Sequence, residues 1–334
     1  MQYMNRTLKL LLVIMMPFMV AAYSNAQQVP MYSQYIMNGF LINPSYAGGD
    51  GYSTVNLTAR EQWVGMYGAP STYALSFQTR LLQTSYISKS TSVRKKSVRP
   101  TKGGRVGLGG YFFNDNNGVV RRTGIQAAYA YHIPMGTTNQ LSFGLAATAY
   151  QYALDIGGAL LFDTDDDYLN NYDRVVFVPD VNFGVSFTSR TYYAGFAMSQ
   201  MFRGIMVLGN NDEKGTTELG HYFLTGGIKI PLPSRDWELE PSIMLKSSDA
   251  FFKATQMDLT TRVRYKDDYW AGLSWRTGDA IIIMTGLRYD RFHFAYAFDF
   301  TLTDIRQHSF GSHEVSMAVK FGDSARRYRW INRY

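Results

Sequence analysis

The chain has 334 residues, 33 basic and 26 acidic side chains for a net charge of +7, and no cysteine. The last point excludes disulfide scaffolds, Cys-ligated zinc and thiol nucleophiles. The basic residues are scattered, not gathered into a patch that would name nucleic acid as a partner. Charged residues make up only 18%, whereas 21 Phe, 25 Tyr and 5 Trp bring the aromatics to 15%.

Residues 1–26 have the layout of a secretory signal peptide. Arg6 and Lys9 precede an apolar run from Leu10 to Ala22, broken only by Pro17, and Ser24-Asn25-Ala26 places small residues where a signal peptidase reads. Cleavage after Ala26 is expected. Beyond it no stretch reaches the roughly 18–20 consecutive apolar residues of a membrane helix. The exported chain is therefore expected to be either soluble or a β-barrel, the other structure that satisfies its backbone inside lipid.

Residues 27–50 do not alternate cleanly and are too apolar to hang free. They are expected to form an N-terminal periplasmic or plug segment packed into or beneath a barrel. Tyr35, Phe40, Asn43, Pro44 and Tyr46 are the candidate plug residues, with Asn43-Pro44 making a turn and Gly48-Gly49 releasing the chain into the first strand.

From residue 51 to 321 the hydrophobic period is two. Val181, Phe183, Val185 and Phe187 alternate with Asn182, Gly184, Ser186 and Thr188. Phe292, Phe294, Tyr296, Phe298 and Phe300 alternate with His293, Ala295, Ala297, Asp299 and Thr301. Each such run is a strand with one greasy and one polar or small face. The pattern predicts about fourteen antiparallel strands, at 52–63, 71–83, 105–114, 121–132, 140–154, 180–189, 191–202, 219–231, 236–247, 254–265, 268–277, 279–289, 291–302 and 312–321. Their even number and length of about ten residues suit an all-β, transmembrane outer-membrane barrel. A soluble β-sandwich also alternates, but here the apolar faces carry Phe, Tyr and Leu along their whole length.

With both chain ends in the periplasm, the even-to-odd connections should be short turns. Ile133-Pro134-Met135-Gly136, Ser189-Arg190, Leu232-Pro233-Ser234, Lys266-Asp267 and Asp290 fit. The basic connection 84–104 is the exception. The alternate set holds 155–179, 203–218 and the polar Asn114–Gly118. The last strand ends on Phe321, followed by a basic tail over 322–334, expected in the periplasm.

If the greasy face meets lipid, the other lines a lumen. Its candidate residues are Arg60, Arg80, Lys229, Lys246, Arg262, Arg264, Arg276, Arg288 and Lys320 against Glu238, Glu240, Asp258 and Asp299. They could line an anion-preferring channel or docking cavity, or pair with one another and fill the interior. No Gly-x-Ser-x-Gly elbow or His-Glu-x-x-His motif is present. Asp163-x-Asp165-x-Asp167 lacks the glycine and the bidentate glutamate of a calcium loop. No enzyme, cofactor or metal site is expected.

Several runs carry a family resemblance. They are QYIMNGFLINPSYAG (Gln34 to Gly48), REQWVGMYGAP (Arg60 to Pro70), SFQTRL (Ser76 to Leu81) and FNDNNG (Phe113 to Gly118). AYAYHIPMG (Ala128 to Gly136), PDVNFGVSF (Pro179 to Phe187) and HYFLTGGIKIPL (His221 to Leu232) follow. WRTGDA (Trp275 to Ala280), AYAFDFTLTDI (Ala295 to Ile305) and GSHEVS (Gly311 to Ser316) complete the series. In this order and spacing they resemble the PorP/SprF family of type IX secretion outer-membrane proteins of Bacteroidota. The resemblance implies a fourteen-stranded barrel with a non-enzymatic role in secretion or gliding. The implied partners, besides outer-membrane lipid, are secreted proteins with type IX C-terminal signal domains and a periplasmic, peptidoglycan-linked or other secretion-apparatus protein; no nucleic acid is implied. The alternative is a passive outer-membrane uptake channel.

Overall fold

The computed structural model describes residues 31–81, 104–136, 138–154, 175–202, 220–233, 236–248 and 255–321. The expected leader, residues 27–30, most of 84–104, the connections 155–174 and 203–218 and the tail 322–334 lie outside them.

The strands are β1 Ser53–Glu61, β2 Ser71–Leu81, β3 Val106–Asn117, β4 Val120–Met135, β5 Asn139–Leu154, β6 Val175–Thr188 and β7 Tyr192–Ser199. β8 comes in two pieces, His221–Ile228 and Ile230–Pro231, interrupted at Lys229. Then follow β9 Trp237–Ser247, β10 Thr255–Tyr265, β11 Tyr269–Arg276, β12 Ala280–Tyr289, β13 Phe292–Thr301 and β14 Ser312–Phe321. Each pairs antiparallel with its neighbours in chain order, and β14 returns to β1, from Ser53↔Phe321 to Glu61↔His313. The sheet is a closed barrel of 14 strands, so no backbone edge is left to face lipid.

The two faces of the wall are inverted relative to a protein folded in water. On β1, Thr54, Asn56, Thr58 and Arg60 are buried while Leu57 is exposed; on β2, Ser76, Gln78 and Arg80 are buried while Leu75 and Phe77 are exposed. Ile125, Leu145, Leu273 and Ile283 lie outside at 55–61% exposure. A sandwich would bury these side chains against a second sheet. Here they form the band that meets hydrocarbon.

The expected strand count holds, but some ends differ. Asn114 to Asn117, read as a loop, belong to β3 and pair with Val120 to Thr123 of β4. Residues 175–179 open β6, and Ile133 to Met135, read as part of a turn, close β4. For β3 the reason is physical: apolar alternation stops at Asn114, whereas the hydrogen-bonded ladder continues to Asn117. The turns themselves are tight. Gly118 has φ +60 in the two-residue connection of β3 to β4, and Lys266 and Asp267 both sit at positive φ in the three-residue connection of β10 to β11.

The connections after β4, β6, β8, β10 and β12 are short, which marks their rim as periplasmic. At the opposite, exterior rim two connections interlock. Val64 N donates to Gly311 O and Phe310 N donates to Val64 O, both at 2.8 Å.

Replacing an outward mid-strand residue should test this inversion. Ile283→Arg is expected to cost about 2–4 kcal/mol in a bilayer, read from denaturant unfolding in lipid vesicles. Ile283→Leu should be close to neutral.

Candidate functional site: the occupied lumen

Residues 31–51 pack against the inner wall. The segment can be followed by its partners from the exterior rim to the periplasmic one. Ser33 meets Arg60, Asp299 and Glu314 near the exterior ends of β1, β13 and β14. Tyr35 Oη lies 3.5 Å from Ser242 Oγ, and Asn38 Nδ2 donates to Ser76 Oγ at 3.0 Å. Ser45 Oγ donates to Ser186 Oγ at 2.8 Å, and Asp50 pairs with Lys320 at 3.1 Å near the periplasmic end of β14.

This path explains why the stretch is apolar without alternating. Three buried apolar clusters lie on the inner side of the wall, and each contains residues of the segment. Met37 packs with Trp270, Ile282 and Met284; Tyr35, Ile36 and Ile42 pack with Phe223 and Met244; Phe40 and Ala47 pack with Ala128, Ala130 and Ala146. Met37 and Phe40 are each 1% exposed, as core residues of a soluble domain would be.

The Asn43-Pro44 pair makes the turn expected of it and also ties the segment to the wall. Asn43 caps the 3-10 turn Pro44–Tyr46, its Oδ1 accepting from Ser45 N at 2.9 Å. Its Nδ2 donates to the carbonyls of Val185 on β6 and Phe196 on β7, both at 3.2 Å. The wall makes room with glycine. A Cβ on Gly144 would stand 2.2 Å from Ser45 N, and one on Gly107 would stand 1.9 Å from Ala47 O. Beside Gly107, His132 Nε2 lies 2.9 Å from Ala47 O and Nδ1 lies 2.8 Å from Ser142 Oγ. A carbonyl only accepts, so Nε2 carries the proton and Ser142 donates to Nδ1.

The wall charges are matched. Arg60 bonds Asp299 at 2.7 Å and Glu314 at 3.2 Å, while Arg276 bonds Asp258 at 3.0 Å and Asp299 at 3.4 Å. Arg60, Arg276, Asp258, Asp299 and Glu314 are nearly sealed from solvent. Glu314 also accepts the backbone N–H of Ser33 at 2.7 Å and of Gln34 at 2.9 Å. Lower down, Arg262 pairs with Glu240 at 2.7 Å and sits over the Trp270 ring, and Arg264 pairs with Glu238 at 2.5 Å. Arg80 donates to Gly104 O, Gly49 O and Gln140 Oε1. Lys229 is buried, and Lys246 lines a cavity at the exterior end. Arg288 pairs with Asp268 at the half-exposed periplasmic rim, away from the sealed interior.

Sequence reasoning passed over Glu314, Asp50 and the Asp115–Arg122 pair at 2.6 Å. The signal existed in each strand residue: Glu314 shares its face with Ser312, Ser316 and Lys320, and Asp115 shares its face with Gly107. Its partners become visible only once register is known.

Arg60→Met should leave Glu314 without its guanidinium and Asp299 with only that of Arg276, at 3.4 Å, and destabilise the barrel by about 3–5 kcal/mol, read from unfolding in lipid. Gly144→Val should displace the segment while the strands still close. The chain has no native cysteine, so thiol labelling of Ser33→Cys, blocked in the parent and rapid in the Gly144→Val background, measures that displacement.

Solved structures with which the chain aligns include the KdgM porin (8% identity, 80% of this chain and 99% of that one, TM-score 0.37) and the CymD monoaromatic hydrocarbon channel (12%, 89% and 94%, TM-score 0.48). BamA from Haemophilus ducreyi lacking POTRA domains 1–3 aligns at 10% identity over 80% of this chain and 70% of that one, with a TM-score of 0.37. No curated protein matches the chain. The family model described as type IX secretion system membrane protein PorP/SprF matches residues 24–319. With nearly its whole length so matched, the chain belongs to the PorP/SprF family of type IX secretion system membrane proteins.

Proposed function

We propose that this outer-membrane component of type IX secretion works by docking, without chemistry of its own. It supports export or surface anchoring of secreted proteins, including adhesins of the gliding type. It does so by receiving their C-terminal signal domain at the exterior rim or a periplasmic, peptidoglycan-linked apparatus protein at the other. In this reading residues 31–50 act as a plug.

The observation that supports the reading is the packing of residues 31–50 against the inner wall. An uptake channel needs a continuous polar path, and here apolar clusters built on Tyr35, Met37 and Phe40 stand across it. Wall charges that would select ions in an open pore bond one another instead. That leaves the two rims as the surfaces available to partners.

Deleting the gene and quantifying the cell-surface proteome tests the secretion role: at least one type IX cargo should fall by tenfold or more, and unchanged display of every cargo would remove it. Planar-bilayer recordings test the rival channel. The parent barrel should stay closed and a variant lacking residues 31–50 should conduct; porin-like conductance by the parent would favour uptake.

A further inference from the structure

Toward the exterior end the outer face of β3, β4 and β5 turns polar. Asn114 and Asn116 of β3, Arg121 and Thr123 of β4, and Gln151 and Ala153 of β5 line a hollow of about 470 Å³, within the range of small-ligand sites. Register sets them side by side. Asn114 opposes Thr123, which opposes Gln151, and Asn116 opposes Arg121, which opposes Ala153. They face away from the lumen, because Asp115, Arg122 and Tyr150, one position along on each strand, point into it.

The same strands fix the level of the hollow. The next outward residues toward the periplasm are Phe112 on β3 and Ile125 on β4, both exposed in the lipid-facing band. A step of two residues along a tilted strand rises roughly 5 Å. Asn114, Thr123 and Gln151 therefore stand at the lipid headgroups of the outer leaflet, with Asn116 and Arg121 just above. Polarity here is local. Phe177 and Val175, the partners of Gln151 and Ala153 on β6, are exposed apolar side chains, and the exterior ends of β12 and β13 turn Ile281 and Phe300 outward.

Hydrogen bonds hold the polar groups in place. Asn114 Nδ2 donates to Thr123 Oγ1 at 2.7 Å, and Asn116 Nδ2 donates to Asn114 Oδ1 at 3.3 Å and Ser71 Oγ at 3.4 Å. That ladder sets which way both asparagine amides face. Gln151 adds an amide, donor and acceptor in one group, at an exposed position, and the exposed Arg121 brings a planar guanidinium that suits phosphate. Among the described residues that line the hollow there is no carboxylate to repel an anion. Amides and a hydroxyl in a row, a guanidinium above them and the Phe177 ring beside them match sugar hydroxyls, a phosphate and the apolar face of a pyranose.

We propose that this hollow holds the phosphorylated sugar headgroup of an outer-leaflet glycolipid of the lipopolysaccharide class. Asn114, Thr123 and Gln151 bond the sugar, Arg121 bonds the phosphate, and the acyl chains run down over Phe112 and Ile125. The inference rests on the barrel spanning the outer membrane and not on the docking of secreted proteins.

Native mass spectrometry of the purified full-length protein tests it, with rough lipopolysaccharide and phosphatidylglycerol offered at equal concentration in detergent. The parent should retain lipopolysaccharide about fivefold or more over phosphatidylglycerol. The double variant Arg121→Gln, Gln151→Leu should lose that preference. Trp275→Leu, outward at the exterior end of β11, should keep it. Heat-modifiable migration in gels checks the folding of each. Should the double variant misfold, Arg121→Gln alone takes its place, with a loss of about threefold expected. Equal retention of the two lipids by the parent, a preference unmoved in the folded variant, or one lost equally in Trp275→Leu would each overturn the proposal.

Discussion

Inside hydrocarbon no peptide group can turn to water, so every strand must hand its N–H and C=O groups to a neighbour. Closure of β14 onto β1 meets that demand, and the other features follow from it. A closed sheet has an outside and an inside made of alternate residues. Apolar side chains go out to lipid, and the inner face receives what lipid rejects. Polar and charged groups then stand in a narrow space with little solvent, where each must find a partner or remain costly.

The chain meets this second demand from two sources. Strand residues pair across the wall in the arginine–carboxylate contacts around Arg60, Arg262 and Arg276. The residues ahead of β1 supply the rest: they offer backbone N–H groups to Glu314, an amide to the carbonyls of β6 and β7, and apolar side chains to inner-wall alanines and methionines. The interior therefore resembles the core of a soluble domain, with a short peptide in place of a second sheet. Small residues such as Gly107 and Gly144 face it because backbone, not side chain, occupies the space in front of them.

Most of the strand layout was legible in the sequence, because lipid imposes a strict period of two on anything that crosses it. The ends of β3, β4 and β6 were less so: Asn114 to Asn117 keep their ladder without any apolar face to announce it. The inward charges could be recognised as a set, but pairings such as Arg60 with both Asp299 and Glu314 depend on register between strands far apart in the chain. The path of residues 31–51 was the least readable. A segment shaped by its surroundings on all sides has no period of its own, and only its excess of apolar residues betrayed that it was enclosed.

The bonds at Ser33 also bear on biogenesis. Its N–H reaches Glu314, 281 positions away, so one of the first described residues is held by the last strand. Neither can be satisfied until the other has arrived, and contacts of such separation form slowly. The N–H of Ser33 and the carboxylate of Glu314 are matched only once the last strand and the leading peptide are both in place. A barrel that shut early would strand that peptide outside, with Glu314 facing an unfilled interior.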